Sequence, residues 1–162
     1  MRIAGVDPGA FGAVAIYDTA LGTLELIDMP TRIEKVRTEK RTRVDSAELG
    51  LQLARCTIDE ACIEKVASRQ NQGVASMFAF GKAAGIVEGV FAGLLVPMSF
   101  LRPQEWQRIA RVPGGEFVKD HARDRAVMLF PAYAQWFGRK KDSGRADAAL
   151  IAYARAVELG EA

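Results

Sequence analysis

Three short apolar runs at the N-terminus, joined by turns, constrain this chain more than any other feature. Arg2–Asp7, Ala13–Tyr17 and Thr23–Ile27 read as consecutive strands. Their separators, built on Pro8-Gly9 and Ala20-Leu21-Gly22, are turn-like and suit an antiparallel meander. The first run ends on Asp7, in Gly5-Val-Asp7-Pro-Gly. A carboxylate at the end of a buried strand costs free energy unless something offsets it. No basic residue adjoins Asp7 in sequence, so a metal ion is one natural partner.

The remaining pattern is mixed. Met29–Val44 is polar and basic and reads as a loop. Asp45 is placed to cap a helix, with Glu48 as the return partner of a capping box. Leu49, Leu53 and Cys56 follow at helical spacing as its buried stripe. Ala61–Val66 reads as a fourth strand, parallel to the first if the helix is a crossover. After the polar loop Ala67–Gln72, Val74–Ala92 reads as a long helix. Its Gly81, Gly85 and Gly89 leave one face without side chains. In a membrane that spacing suggests helix dimerisation. In a soluble chain it means close packing, on the sheet or against a second subunit. Val96–Leu101 is a fifth strand, and Pro103 opens a helix running to Ala110. Val112–Phe117 is a Gly-Gly loop, and helices over Lys119–Phe130 and Arg145–Leu159 complete the chain. The pattern predicts one α/β domain spanning 1–162. Its mixed five-stranded sheet has three antiparallel strands first, then parallel strands, flanked by helices.

Composition excludes several classes. A chain of 162 residues suffices for a domain with its own core. The hydrophobic share of 49% is ordinary for a globular protein. The N-terminus enters a strand directly, without the basic and long apolar regions of a signal peptide. Ile86–Val96 is interrupted by Glu88, Gly89 and Gly93 and is too short to span a bilayer. The expectation is a cytoplasmic protein with no membrane partner. Cys56 and Cys62 lack metal-ligand or redox spacing and read as buried thiols. The lone histidine, His121, sits in the polar run Lys119–Arg125 and reads as a surface residue. Nothing beside it supports a histidine-activated nucleophile.

Net charge is only +2, but its distribution is uneven. Arg32, Lys35, Arg37, Lys40, Arg41 and Arg43 crowd one segment, with Glu34 and Glu39 interleaved. Arg139, Lys140, Lys141 and Arg145 crowd another. Either cluster alone is compatible with a solvated face. Two of them beside an acidic site point towards a polyanion.

Further carboxylates fall at informative places. Glu64 lies inside the fourth strand, in Ala-Cys-Ile-Glu64-Lys-Val. It either faces solvent from an alternating strand or meets Asp7 at one end of the sheet. Asp147 opens the last helix, where a carboxylate also suits the positive helix end. Asp142 lies just upstream. Carboxylates brought within a few ångströms repel strongly in a low-dielectric site. A shared proton or bound divalent cations resolve that repulsion. Hard oxygen ligands suit Mg²⁺ or Mn²⁺. Two such ions about 4 Å apart activate water and stabilise a leaving oxygen in phosphodiester hydrolysis. The lack of a His/Cys ligand set disfavours zinc.

Gly5-Val-Asp7-Pro-Gly, Ile63-Glu64-Lys-Val and Gly144-Arg-Ala-Asp147-Ala-Ala-Leu together resemble the signature segments of the RuvC-like Holliday junction resolvases. The resemblance extends over nearly the whole chain. Arg43-Val-Asp45, Gln72-Gly-Val-Ala-Ser-Met-Phe-Ala-Phe-Gly81, Pro103-Gln-Glu-Trp106 and Arg139-Lys-Lys-Asp142 are similar to the short branch found in phages and prophages. The resemblance implies a ribonuclease H-like fold, a homodimer, and Mg²⁺- or Mn²⁺-dependent cleavage of branched DNA such as a four-way junction. It implies Asp7 and Glu64 as catalytic metal ligands from the sheet and Asp147 as the ligand from the helix. The family's fourth ligand falls three or four residues before the helix Asp, where this chain has Gly144 and Ser143. Asp142, one step further back, is the candidate substitute. The loop Ala67–Gln72 also departs, since related chains often carry a Pro-Gly turn there. Arg69, Gln70, Asn71 and Phe78 are candidates for contact with the junction centre, and Lys65 for a phosphate. Arg37, Lys40, Arg41, Arg43, Lys140, Lys141 and Arg145 are candidates for backbone contacts. Two rivals stand beside this reading. The departure at Ser143 and Gly144 motivates a non-catalytic junction- or DNA-binding protein on the same fold. A phosphotransferase of the actin or sugar-kinase type shares Asp-x-Gly on a strand turn. It needs two lobes around a nucleotide, and this chain is too short for them.

Overall fold

In the computed structural model, residues 1–36, 39–65, 73–115 and 118–162 are described. The meander forms as expected, from β1 (Arg2–Asp7), β2 (Ala13–Asp18) and β3 (Thr23–Asp28). β1 and β2 pair antiparallel from Arg2 opposite Asp18 to Asp7 opposite Ala13. β6 (Glu60–Glu64) then joins the other edge of β1 in parallel, and β7 (Met98–Leu101) joins β6 in parallel. The sheet order is β3-β2-β1-β6-β7.

The segment expected to be a loop is instead a hairpin. β4 (Thr31–Val36) and β5 (Glu39–Val44) pair antiparallel as a separate two-stranded sheet. Strand periodicity is hidden here because no apolar face alternates with a polar one. Part of the pairing is electrostatic: Arg43 Nε donates to Glu34 Oε2 at 3.1 Å across the two strands. Elsewhere Arg32 faces Arg43 and Lys35 faces Lys40, so the hairpin is a basic arm. Met29 and Val44 are buried and fix its base to the core.

α1 (Ser46–Leu53) starts at Asp45, whose side chain accepts from the Ala47 and Glu48 amides at 3.1 and 3.2 Å. Glu48 does not return the cap; it accepts from Gln52 Nε2 at 2.6 Å, one turn on. Leu49 and Leu53 are buried, whereas Cys56 falls beyond the helix end and is half-buried. Cys62 is the buried thiol, and burial pushes its pKa up to about 11. His121 is half-buried, its Nδ1 3.1 Å from the Pro113 carbonyl.

The other helices are α2 (Val74–Gly93), α3 (Pro103–Ile109), α4 (Val118–Leu129) and α5 (Ser143–Leu159), with 3₁₀ turns at Pro131–Trp136 and Lys140–Asp142. Strand alternation divides the core in two. Ile3, Ala15, Tyr17 and Cys62 pack with Leu150 and Ile151 of α5 and Trp106 of α3. Ala4, Val6, Val14, Ile16 and Ile63 pack with Leu49 and Leu53 of α1 and Val87 and Phe91 of α2. Asp7 and Glu64 follow the parity of Ile3 and Cys62, so both belong to the α5 face.

Gly5 explains how closely α5 approaches. A Cβ there would come under 3.0 Å from the Ala148 carbonyl oxygen and the Ala152 amide. The glycines of α2 behave differently. Among the described residues, a Cβ at Gly81, Gly85 or Gly89 would meet nothing within 4 Å. Packing on the sheet falls to Ala83, Val87 and Phe91 instead. Among the described residues α2 is the one helix long and apolar enough, by length and composition, to cross a membrane. Its buried face is committed to the core.

Candidate active site

The site is built at the carboxyl ends of β1 and β6. The last described pair in their parallel register is Val6 with Ile63. Asp7 and Glu64 come next on each strand, side by side on the face covered by α5. The turn after β1 is tight. The Gly9 amide donates to Asp7 Oδ1 at 3.3 Å, and the Gly12 amide to the Gly9 carbonyl at 2.9 Å. A Cβ on Gly12 would fall under 3.0 Å from both the Asp7 carbonyl and its side-chain Cγ. Only a glycine lets the returning chain pass so close to the carboxylate. Glu64 is oriented by Trp106, a buried residue of α3 whose indole Nε1 donates to Glu64 Oε1 at 3.0 Å.

α5 supplies the third carboxylate, and its direction can be read from four contacts. Gly144 lies against the backbone of Phe11 and Gly12, beyond the end of β1. Ala148 and Ala152 lie over Gly5. Arg155 Nε donates to Glu60 Oε1, at the start of β6, at 2.8 Å. α5 thus runs antiparallel to β1 and β6. Asp147 precedes Arg155 by eight residues, about 12 Å along the helix and about 80° around it. Glu64 follows Glu60 by four residues, about 13 Å of strand on the same face. The Arg155–Glu60 ion pair therefore sets a register that carries Asp147 to the level of Glu64. All three carboxylates are half-buried.

Asp142 stands apart from this trio. It is 2% exposed, and its Oδ2 accepts from the Arg139 amide at 3.0 Å and from Arg139 Nε at 2.9 Å. Its Oδ1 accepts from Arg139 Nη2 at 2.9 Å, and Arg145 Nη1 lies 3.6 Å away. These cations hold the Asp142 carboxyl below the usual carboxylate range, the Arg139 hydrogen bond being the main cause. Arg145 in turn donates twice, at 2.6 Å each, to Asp28 at the end of β3. The Asp28 carboxyl is lowered chiefly by that bond. This network sits on the β3 side of the sheet end, away from β6. Gly144, one of the two positions where the resemblance places a fourth ligand, has no room for a side chain: a Cβ would lie 2.7 Å from the Phe11 carbonyl oxygen.

The other expected residues fall as follows. Lys65 is exposed immediately after β6, and its amide donates to the Leu101 carbonyl at 2.8 Å. Lys40, Arg41 and Arg43 lie on β5, Arg41 bonded to Glu39 and Arg43 to Glu34. Lys140 and Lys141 are exposed on the 3₁₀ turn before α5. Phe78 is 68% exposed near the start of α2. Arg37, Arg69, Gln70 and Asn71 lie outside the described residues. Sequence reasoning missed two functions. Trp106 was visible within Pro103-Gln-Glu-Trp106, but its partner Glu64 is 42 residues away and no local pattern pairs them. Arg139 reads as one of a basic surface cluster; it stays 58% exposed yet closes onto Asp142.

Among the described residues, no three His, Cys, Asp or Glu side chains lie close enough together to hold an ion. The donor set nonetheless fits a hard divalent cation in type: carboxylate oxygens on one sheet face at one sheet end.

Three antiparallel strands, two parallel ones and a helix laid across β1 define a ribonuclease H-like fold. No protein-family model and no curated protein matches the sequence. Among solved structures, RuvC from Thermus thermophilus in complex with Holliday junction substrate is similar, with a TM-score of 0.61 and 17% identity over 99% of this chain and 98% of that one. A second Thermus thermophilus RuvC structure is similar, with a TM-score of 0.60 and 18% identity over 99% of this chain and 97% of that one. The fold of this chain is RuvC-like.

Proposed function

We propose that this protein is a structure-specific endonuclease of the phage and prophage RuvC-like type, which nicks four-way or otherwise branched DNA. The observation that carries the reading is that Asp7 and Glu64 end adjacent parallel strands on the face α5 covers, with Asp147 at their level through the Arg155–Glu60 register. These three would hold Mg²⁺ or Mn²⁺. The chemistry of these ions, when bound, would be to activate a water and stabilise the leaving oxygen of a phosphodiester. The chain's own residues do the rest. Trp106 fixes the Glu64 rotamer, the Pro8-Gly9 turn fixes Asp7, and the close seat of α5 on Gly5 fixes the height of Asp147. Lys40, Arg41, Lys65, Lys140 and Lys141 would meet phosphates, giving recognition by shape more than by base sequence. Asp142 is left out of the ligand set because Arg139 engages both of its oxygens.

Symmetric cleavage of a junction needs two sites, hence two copies. The open glycine face of α2 supports a homodimer, because close helix approach is what bare helix faces permit. The test is incubation with labelled four-way junction, fork and linear duplex in Mg²⁺ and in Mn²⁺. Symmetric nicks in the junction and intact linear duplex are expected. Asp7→Asn should abolish nicking and leave junction binding in place. A non-catalytic junction-binding protein is the second reading, favoured by the crowding that excludes a ligand at Gly144. Junction binding without cleavage in either metal would establish it.

A further inference from the structure

Phe11 is an exposed aromatic on a rigid mount. The residue is 86% exposed, yet its backbone is clamped. Gly12 beside it is pressed against Asp7, and the Phe11 carbonyl is pressed against Gly144 at the start of α5. It sits four residues beyond Asp7. Two clefts meet at this residue. One, of about 250 Å³, runs between α2 and β5 and is lined by Phe80, Ala83, Ile86 and Val44, with Arg43 and Lys82 at its polar positions. The other, of about 300 Å³, lies towards β3 and is lined by Arg139, Lys141 and Arg145 with Asp28 and Asp142. An apolar ring held proud of the surface costs hydration free energy and contributes nothing to the core. Lys82 lies in the first cleft and Lys141 in the second, both exposed, while the three arginines are paired with carboxylates.

We infer that Phe11 is a stacking platform for an unpaired nucleobase of the branched substrate, which positions the adjoining phosphate at Asp7. The apolar wall of the α2–β5 cleft receives the far side of the base, and Lys82, exposed on α2, faces a neighbouring phosphate. Base–aromatic stacking is tolerant of sequence and suits strands unpaired at a branch point. The rigid mount matters because a platform that moved would lose ordering entropy on every encounter. The inference rests on the nuclease reading for its substrate, but it concerns a different residue and a different interaction.

The test compares wild type with Phe11→Trp, Phe11→Leu and Phe11→Ala, all full-length, on a labelled four-way junction. Both Kd and single-turnover cleavage are read. Because Phe11 is exposed, thermal unfolding should be unchanged in all three. Phe11→Trp should retain function. Phe11→Leu and Phe11→Ala should each lose about 10-fold in kcat/KM, a loss of about 1.4 kcal/mol. A second substrate set carries single abasic sites at the nucleotides around the nick. At the position that Phe11 stacks on, wild type and Phe11→Leu should become equal. Equal cleavage by wild type and Phe11→Leu on the intact junction overturns the stacking role and leaves the nuclease reading standing. So does a Phe11→Leu deficit that persists at every abasic position. Wild type that binds junctions without nicking them removes the nuclease reading alone, and the same Kd comparison then decides the platform. Wild type that neither binds nor nicks removes both.

Discussion

α5 and α2 both carry small residues against or beside the sheet, but they use glycine in opposite ways. At the α5 contact the glycines belong to the surroundings, Gly5 on β1 and Gly12 after it, with Gly144 on the helix itself. Each is pressed against backbone. On α2, Gly81, Gly85 and Gly89 face open space within 4 Å. The first set lets a helix approach a strand so that Asp147 can reach the level of Asp7 and Glu64. The second set meets no other described residue. The same residue type is consumed by the fold on one side and left available on the other. A glycine pattern in sequence therefore says that something approaches closely, but not whether the partner is internal.

The comparison breaks most sharply at Gly5. In Gly5→Ala the new methyl collides with the Ala148 carbonyl and the Ala152 amide, which are backbone atoms and cannot swing aside. Overpacking of this kind costs about 3 kcal/mol or more. The expected outcome is a large fall in Tm or failure to fold, read by thermal unfolding. Gly144→Asp should come next. It installs a carboxylate at the family's fourth position but meets the Phe11 carbonyl, so it should destabilise without raising nuclease activity. A Gly144→Asp variant that is stable and faster would show that α5 seats more loosely than these contacts imply.

How much of this was legible beforehand follows from the kind of signal each feature emits. The meander was readable because its strands alternate or run apolar and its turns carry Pro-Gly or Gly. The parallel pairing of β1 with β6 followed from one intervening crossover helix. Asp7, Glu64 and Asp147 stand out as candidates because charges at strand and helix ends are conspicuous against apolar neighbours. The β4–β5 hairpin was not readable, since its pairing relies on charges and its faces do not differ in hydropathy. The Glu48 capping box failed for a local reason: Gln52, one turn on, offers a competing donor. Asp142 looked like a substitute ligand because position along the chain was the only guide. Which way the carboxylate faces depends on Arg139 and on Asp28, the latter 117 residues from Arg145, and sequence spacing does not encode that.

A middle-sized effect tests the anchor of α5. Asp142→Asn removes the charge that holds Arg139 and leaves a buried amide facing two guanidinium groups. Arg139 remains 58% exposed, so solvent screens part of the loss. The expected destabilisation is about 2 kcal/mol, with nicking reduced only through stability. Acid should act the same way. Asp142 and Asp28 have carboxyls lowered in the folded state by Arg139 and Arg145. The unfolded chain therefore takes up protons first, and the network's contribution is complete above the ordinary carboxyl value of about 3.9. It is lost as pH falls below that value towards the folded-state values. In urea titrations, the gap between wild type and Asp142→Asn should shrink below about pH 4. A gap constant across that range would mean the Arg139 bonds do not hold α5 in place.

The smallest stability effect belongs to α2, and it is the most informative about partners. Gly85→Ala adds a methyl into open space in the interior of a 20-residue helix. Helix propensity alone should stabilise the monomer by about 0.5–1 kcal/mol. Gly85→Leu should leave monomer stability near wild type, since leucine also forms helix well. If the bare face is where a second copy docks, both variants should shift sedimentation equilibrium towards monomer, Leu more than Ala, and abolish symmetric nicking before single nicks. Gly5→Ala loses the fold, whereas Gly85→Leu should lose only the assembly. Association that survives Gly85→Leu would detach the glycine stripe from dimer formation, and the two helices would then differ in packing alone.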